Sequence, residues 1–290
     1  MYKKILITGS GSGFGKLSVQ TLAAKGYTVA ATMRDVSGRN AATAEEFKAL
    51  GVHVIEMDVT DDASVDAGVA KAIELMSGLD VVFNNAGVGV LGMQEFFTVE
   101  DYKRLFEINV FGVQRVNREA VPFLRKQGKG LIIYTSSLLG RVAMPFYGPY
   151  QSSKWALEAM ASNYRIELSG FGIENCIVEP GGFPTSFTEN LMKPSDLSRV
   201  GEYGEFANVP GQALAGFEQF LANNPQQNPQ TVADAVLELI EKPYGEKPFR
   251  TPVDFVGMGA AVAPYNDQLE TLETALFTNF GMAAMRSVKK

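Results

Sequence analysis

Nearly unbroken apolar stretches alternate with segments of helical periodicity along the chain. The apolar stretches predict buried β-strands at residues 4–8, 27–33, 52–57, 79–84, 130–136 and 174–180. Apolar positions at three- and four-residue spacing predict helices over residues 14–25, 62–77, 100–126, 150–169 and 229–242. Strands that are apolar on both faces are typical of parallel sheets covered on each side. The pattern therefore predicts an α/β fold, a doubly wound parallel sheet in three αβα layers.

The alternation breaks over residues 183–228, which follow the sixth predicted strand. Pro, Gly and Asn are mixed there with aromatic side chains such as Phe187, Phe217 and Phe220. We expect an insertion of short helices and loops that acts as a substrate lid, although internal packing would explain the aromatic residues equally well.

The whole chain is expected to form one domain over residues 1–290. Its cofactor-binding and catalytic core would occupy residues 1–182, and residues 229–290 would add a C-terminal helix, strand and tail. Within that last part, we expect a strand at 254–258 and a helix at 265–280.

Composition excludes several classes of function. The net charge of −6 argues against nucleic acid or an anionic membrane as a partner. A lone Cys176 permits no intrachain disulfide, and a lone His53 in a strand-like segment argues against a histidine metal site or a Ser-His-Asp triad. Because neither an 18-residue apolar run nor a signal peptide is evident, we expect a cytoplasmic protein.

The first turn reads T-G-S-G-S-G-F-G, residues 8–15, and joins the first strand to the first helix. Neither the G-x-G-x-x-G spacing nor a Walker loop fits it, whereas Gly9, Gly13 and Gly15 fit G-x-x-x-G-x-G. Gly9 permits a tight turn, Gly13 admits a pyrophosphate at the helix N-terminus, and Gly15 allows close helix–strand packing. The turn therefore predicts a dinucleotide site of the Rossmann type, with a plain glycine-rich turn as the alternative.

The end of the second strand, T-M-R-D, bears on the choice of nicotinamide cofactor. Arg34 lies where NADP sites place a basic residue, and Met33 stands where NAD sites place an acid. This favours NADP(H). Asp35 keeps NAD possible, although it can also cap the next turn, and Arg34 can be a solvated surface charge.

Several motifs together resemble the short-chain dehydrogenase/reductase family over about residues 3–190. They are T-G-S-G-S-G-F-G, the pair Asp58-Val59, N-N-A-G at 84–87, E-I-N-V-F-G around Asn109, Ser137 thirteen residues before Tyr150, Y-Q-S-S-K at 150–154, and P-G-G-F-P-T at 180–185. The resemblance implies a cofactor site formed by Thr8, Gly9, Ser12, Gly13, Phe14, Gly15, Arg34, Asp58, Val59, Asn85, Ala86, Gly87, Tyr150, Lys154, Pro180, Gly181 and Thr185.

The same resemblance implies a catalytic tetrad of Asn109, Ser137, Tyr150 and Lys154. Tyr150 would exchange the hydroxyl proton, Ser137 would bond the substrate oxygen, Lys154 would hold the nicotinamide ribose, and Asn109 would support a proton-relaying water. An ammonium ~4 Å from the phenol would lower its pKa by roughly three units, to near 7. Ser136 remains an alternative to Ser137, and Asn109 could instead satisfy buried backbone groups.

The expected substrate side is apolar and aromatic. It comprises Gln94, Phe96, Phe97, Leu138, Leu139, Met144, Phe146, Tyr147, Phe183, Phe187 and Met192. Arg141 is the one nearby cation, and we expect that it can point outward. The sequence thus favours NADPH-dependent reduction of a small apolar ketone or aldehyde.

Three alternatives stay open: an NAD-dependent alcohol dehydrogenase, an epimerase or dehydratase on the same fold, and a non-enzymatic NADP(H)-binding redox sensor. From the resemblance we also expect a homodimer or homotetramer, paired through helices 100–126 and 150–169.

Overall fold

The computed structural model describes residues 2–289 and contains a parallel sheet of seven strands. The strands are β1 (Lys4–Ile7), β2 (Thr28–Met33), β3 (His53–Glu56), β4 (Val81–Asn84), β5 (Gly130–Thr135), β6 (Ile173–Pro180) and β7 (Arg250–Val253). Their order is β3-β2-β1-β4-β5-β6-β7, so the direction of winding reverses between β1 and β4. Such a reversal opens a crevice at the carboxyl ends of the strands. The first six strands agree with the predicted ones within two residues.

Helices cover both faces of this sheet. They are α1 (Gly13–Ala24), α2 (Ala41–Ala49), α3 (Asp62–Met76), α4 (Val99–Phe106), α5 (Gly112–Gln127), α6 (Gly148–Ser169), α7 (Val209–Ala222), α8 (Gln230–Glu241) and α9 (Met258–Asn279). Neighbouring strand residues point to opposite layers: Ile5 and Ile7 pack in the layer that includes α1 and α8, and Leu6 in the layer that includes α3 and α5. The predicted three-layer architecture is confirmed.

The helix predicted over residues 100–126 is interrupted. A π-helical turn at Glu107–Phe111 separates α4 from α5, and the amide of Gly112 donates to the carbonyl of Glu107, five residues earlier. Turns of this kind often mark functional sites. Asn109 lies in its middle.

The seventh strand was predicted in the wrong place. Residues 254–258 do not form a strand, because the carboxylate of Asp254 accepts bonds from the amide of Gly259 (3.0 Å) and from Nε2 of Gln227 (3.0 Å), which bends the chain. The strand is instead β7, just before this bend. The C-terminal helix begins seven residues earlier than predicted, at Met258.

Two helices were not predicted. The short α2 carries few large apolar residues, and α7 is a 14-residue helix within the segment expected to hold only short helices and loops. No helix among residues 2–289 is long and apolar enough to cross a membrane.

Candidate active site

The glycine turn between β1 and α1 forms a cradle at the crevice. Gly9 has a φ of +66°, and a Cβ there would lie 2.6 Å from Cα of Ala86. A Cβ at Gly15 would collide with the carbonyl of Gly9. Gly13 differs: a Cβ there would meet only Cβ of Thr185, at 3.9 Å. The turn is thus closed at Gly9 and Gly15 but open at Gly13, above the N-terminus of α1, where a pyrophosphate fits.

The loop after β4 braces this cradle. Oγ1 of Thr8 accepts from the amides of Asn85 (3.1 Å) and Ala86 (3.0 Å). In return, Nδ2 of Asn85 donates to the carbonyls of Thr8 (3.0 Å) and Gly9 (3.1 Å). The ends of β1 and β4 are therefore fixed to each other on either side of the crevice, and Gly87 follows on the exposed side.

Arg34 and Asp58 lie at the ends of neighbouring strands. Nη1 of Arg34 is 3.7 Å from a carboxylate oxygen of Asp58, and about half of the arginine side chain is exposed. Burial of Asp58 raises its pKa, but bonds from Thr60 and the charge of Arg34 outweigh it, so this pKa lies below its usual value. Val59, the next residue, packs against Gly112 at the start of α5. Both charges thus face the side of the crevice predicted for the adenosine half of a dinucleotide.

The side chain of Asp35 points toward the backbone of its own loop. Its φ is +52°, and its carboxylate accepts from the amide of Arg39 at 2.9 Å. Its carbonyl also accepts from the amide of Asn40 at 3.2 Å. Of the two roles that the sequence left open for Asp35, this geometry favours capping of the turn.

Tyr150 and Lys154 lie one helical turn apart on α6, with Pro149 in its first turn. Nζ of Lys154 is 5.6 Å from the centre of the Tyr150 ring and donates to the carbonyl of Thr135 at 2.8 Å. Both residues are buried, at 8% and 4% exposure. The lysine therefore bridges α6 to the end of β5.

Burial controls the pKa values of this pair. It raises the pKa of Tyr150 to about 12, against the effect of a hydrogen bond with Ser137. It lowers the pKa of Lys154 to about 8, against the effect of the charge on Glu158. The expectation of a phenol pKa near 7 is wrong for the protein by itself, because it counted the field of the ammonium but not the loss of water around the phenol. At neutral pH the phenol keeps its proton.

Ser137 contacts the same phenol. Its hydroxyl also accepts from the amide of Leu139 (3.1 Å) and donates to the carbonyl of Pro180 (3.4 Å). The hydroxyl of the alternative, Ser136, instead lies against Gly140. The geometry favours Ser137 over Ser136.

The amide of Asn109 is fully buried and makes three hydrogen bonds. Oδ1 accepts from the amide of Val88 (2.9 Å), and Nδ2 donates to the carbonyl of Val88 (2.9 Å) and to Oγ of Ser153 (3.0 Å). A Cβ on Gly87 would lie 3.3 Å from Oδ1 of Asn109 and 3.6 Å from Nζ of Lys154. Asn109 therefore holds the loop after β4 against α6, close to the lysine.

The segment after β6 lies over Tyr150, the predicted proton donor. The ring of Phe187 meets the ring of Tyr150 edge-on, with 5.7 Å between centroids, and Met192 forms a parallel bridge with Val90. Next to Gly13, residues 184–186 line a 230 Å³ cavity at the start of α1. This segment therefore contacts both the predicted cofactor site and the predicted proton donor.

Asp101 anchors this segment and was missed by the sequence reasoning. Its buried carboxylate accepts from the amide (3.1 Å) and hydroxyl (2.7 Å) of Ser195. Although burial opposes it, these bonds hold the pKa of Asp101 well below its usual value. The available signal was T-x-x-D at residues 98–101, a capping box that the structure contains.

Several expected substrate-side residues take other places. Leu138 is fully buried, and Phe183 packs in the core with its ring 5.5 Å from that of Phe14. Phe97 does pack in one apolar cluster with Tyr150, and Leu139 and Met192 pack against that cluster.

The expectation for Arg141 is wrong. Its side chain points inward, because Asn266, Glu158 and Glu179 together offer it a hydrogen bond and two opposite charges.

Comparisons with known proteins show which family the chain resembles. The family model for short chain dehydrogenases matches residues 3–196. YusZ, an uncharacterized oxidoreductase of Bacillus subtilis, is 34% identical over 84% of this chain and 87% of its own. A 3-ketodihydrosphingosine reductase of Bacteroides thetaiotaomicron is 33% identical over 86% of this chain and 87% of its own. Among solved structures, an alcohol dehydrogenase of Thermococcus sibiricus complexed with 5-hydroxy-NADP matches with a TM-score of 0.69 and 27% identity, over 88% of this chain and 97% of its own.

Proposed function

Because the chain belongs to the short-chain dehydrogenase/reductase family and is therefore an oxidoreductase acting on CH–OH donors, we propose that it reduces an apolar ketone or aldehyde with NADPH. The observation that carries this proposal is the protonated, buried phenol of Tyr150 between Ser137 and Lys154. A phenol that keeps its proton at neutral pH is ready to donate it, which is what reduction of a carbonyl requires.

The proposed chemistry divides the work among the buried polar groups. NADPH, held by the glycine turn at Gly13 and by Arg34, would supply the hydride for the carbonyl carbon. Tyr150 donates its proton to the carbonyl oxygen, and the hydroxyl of Ser137 bonds the same oxygen as negative charge develops there. The ammonium of Lys154 stabilises the resulting phenolate. A water supported by Asn109 near Gly87 then returns a proton through Lys154 to the phenolate.

The surroundings of Arg34 support NADPH over NADH. Its guanidinium is half exposed at the end of β2 and suits phosphate oxygens. The nearest rival for a ribose hydroxyl, the carboxylate of Asp35, is already bonded to the amide of Arg39. The Thermococcus sibiricus structure, bound to an NADP derivative, is consistent with this preference.

The apolar contacts of the phenol support the substrate class. The ring of Phe187 meets that of Tyr150, and Phe97 shares an apolar cluster with Tyr150 against which Leu139 and Met192 pack. Arg141 is held away from the phenol by buried partners. Arg141 is therefore not placed to bind a carboxylate or phosphate of the substrate. The Bacteroides relative is named for the reduction of a ketone.

A titration of the purified protein with NADPH and NADH, followed by quenching of protein fluorescence, tests this proposal. We expect tighter binding of NADPH. We also expect Arg34→Ala to weaken the binding of NADPH roughly 10-fold or more while leaving the affinity for NADH unchanged, because only NADPH carries the 2′-phosphate. Arg39→Ala, which removes an exposed arginine of the same loop, is the matched control. Equal binding of the two cofactors would contradict the cofactor assignment, and failure to oxidise NADPH with any apolar carbonyl would contradict the reaction.

A further inference from the structure

A cluster of buried charges lies behind the catalytic residues. Two cations, Arg141 and Arg250, face two carboxylates, Glu158 and Glu179, and none of these side chains is more than 5% exposed. Nε of Arg250 donates to Glu158 at 2.9 Å. Arg141 is farther from both carboxylates, at 3.7 Å from Glu158 and 3.8 Å from Glu179, which is too long for a hydrogen bond.

Three members of this cluster lie on the same chain segments as the predicted active-site residues. Arg141 closes the turn that begins at Ser137, with its amide bonded to the carbonyl of Leu138. Glu158 follows Lys154 by one turn of α6. Glu179 precedes Pro180, whose carbonyl accepts from the hydroxyl of Ser137. The cluster thus joins the segments that carry the serine, the lysine and the end of β6.

Asn266 of α9 supplies the short hydrogen bonds that Arg141 and Glu179 do not make to each other. Its Oδ1 accepts from Nε of Arg141 at 3.0 Å, and its Nδ2 donates to Glu179 at 2.6 Å. The neighbouring ring of Tyr265 lies 4.8 Å from the same guanidinium. The site is therefore connected to the C-terminal helix, beyond the residues 3–196 that match the family.

We propose that Asn266 is a positioning residue for hydride transfer. By bonding Arg141 and Glu179 at once, it fixes the turn that carries Ser137 against the end of β6. The inference rests on the proposed function in one respect, the roles given to Ser137 and to residues 180–185. Ser137 would bond the carbonyl oxygen and residues 180–185 would contact the nicotinamide, so their separation sets how the two reactants meet.

The cluster already lacks several hydrogen bonds while Asn266 is present. Within residues 2–289, Nη2 of Arg141, Oε1 of Glu158 and Oε1 of Glu179 already lack hydrogen-bond partners. Loss of the asparagine would leave Nε of Arg141 and the bonded carboxylate oxygen of Glu179 as two further buried atoms without a hydrogen bond, which favours a shift of the two segments or protonation of Glu179. Burial and the nearby charge of Glu158 raise the pKa of Glu179, and the bond from Asn266 and the charges of Arg141 and Arg250 oppose that rise.

Amide hydrogen exchange of full-length wild type, Asn266→Ala and Asn279→Ala tests the positioning without any substrate. Asn279→Ala removes an exposed asparagine from the end of the same helix. We expect faster exchange in residues 137–141 and 180–185 of Asn266→Ala only, with the rest of the sheet unchanged. Unchanged exchange in those two segments, or equally faster exchange throughout the protein, would overturn the inference.

Kinetics with NADPH and 4-nitrobenzaldehyde provide the second readout. A displacement of about 1 Å at the reacting groups is expected to lower kcat of Asn266→Ala roughly 10- to 100-fold while KM and the Kd for NADPH stay within about twofold. A rise in KM as large as the fall in kcat would contradict a positioning role for Asn266. If the wild type binds NADPH but turns over no carbonyl, the proposed function fails, whereas the exchange comparison still decides the role of Asn266.

A third variant separates positioning from a general loss of packing. Asn266→Asp keeps the acceptor for Arg141 but sets a second carboxylate against Glu179, within reach of the charges of Glu158, Arg141 and Arg250. We expect its activity, relative to wild type, to recover as the pH falls and the two carboxylates share a proton. A pH profile parallel to that of the wild type would contradict the inference.

Discussion

The ring of Phe187 packs edge-on against the ring of Tyr150, 5.7 Å away, and so shields the proposed proton donor from water. Phe187 belongs to the segment after β6, and Tyr150 belongs to α6. The phenol of Tyr150 is thus covered in part by a side chain from an element outside the sheet and helices that hold it.

Phe187→Ala is expected to lower the pKa of Tyr150 by roughly one unit, because water would then reach the phenol and desolvation would weaken. In the direction of alcohol oxidation the phenol must first lose its proton. The rising limb of kcat/KM against pH should therefore move to lower pH. Phe280→Ala, which removes a ring that is 71% exposed, is the control. An unmoved limb would show that Phe187 does not set this pKa.

Tyr150→Phe is expected to lower the rate of carbonyl reduction roughly 100- to 10,000-fold, because it removes the proton donor. NADPH should bind with nearly unchanged affinity, as measured by fluorescence quenching. Tyr147→Phe removes a nearby, partly buried hydroxyl and should retain most of the activity. Wild-type turnover by Tyr150→Phe would reject the catalytic assignment.

Lys154→Met is expected to abolish reduction yet stabilise the fold. The pKa of Lys154 falls from 10.5 in the unfolded chain to about 8 in the fold, so the buried ammonium opposes folding. This penalty is fully present below pH 8 and disappears above about 10.5. After allowance for the lost bond to Thr135, the free energy of unfolding should rise by roughly 1–3 kcal/mol at pH 7.

Urea unfolding of the wild type and Lys154→Met at pH 7 and pH 10 measures this effect. The increase in the free energy of unfolding caused by Lys154→Met should be smaller at pH 10 than at pH 7. Lys103→Met, at an exposed site on α4, should show no increase at either pH. A loss of stability at pH 7 would mean that the bond to Thr135 outweighs desolvation. The same titration of Lys154 predicts that reduction by the wild type declines as the pH rises through about 8.

Gly13→Ala and Gly26→Ala form a matched pair, since both glycines have positive φ angles, +53° and +78°. Each substitution should lower the free energy of unfolding by about 1–2 kcal/mol through backbone strain. Only Gly13→Ala places a methyl group in the cradle at the start of α1. Only this variant should therefore bind NADPH more weakly, by roughly 10-fold or more. Equal NADPH affinity in the two variants would place the pyrophosphate elsewhere.

Local patterns determined most of the fold. The six apolar strands and the glycine turn could be predicted because each depends on residues close together in the chain, whereas the Tyr150–Lys154 pair was assigned through the family resemblance of several motifs. The strand β7 could not, because its sequence, R-T-P-V, is neither apolar nor alternating. It forms at the edge of the sheet, where its pairing with β6 and the bend at Asp254 define it.

Tertiary structure alone decided the environment of those residues. Arg141 points inward because Glu158, Glu179 and Asn266 converge on it from three elements far apart in sequence, and no local pattern contains that meeting. Burial raises the pKa of the Tyr150 phenol to about 12, rather than near 7, because the fold removes water from it. Desolvation depends on every group packed around the phenol. The spacing of Tyr150 and Lys154 on one helix predicts only the distance between these two side chains.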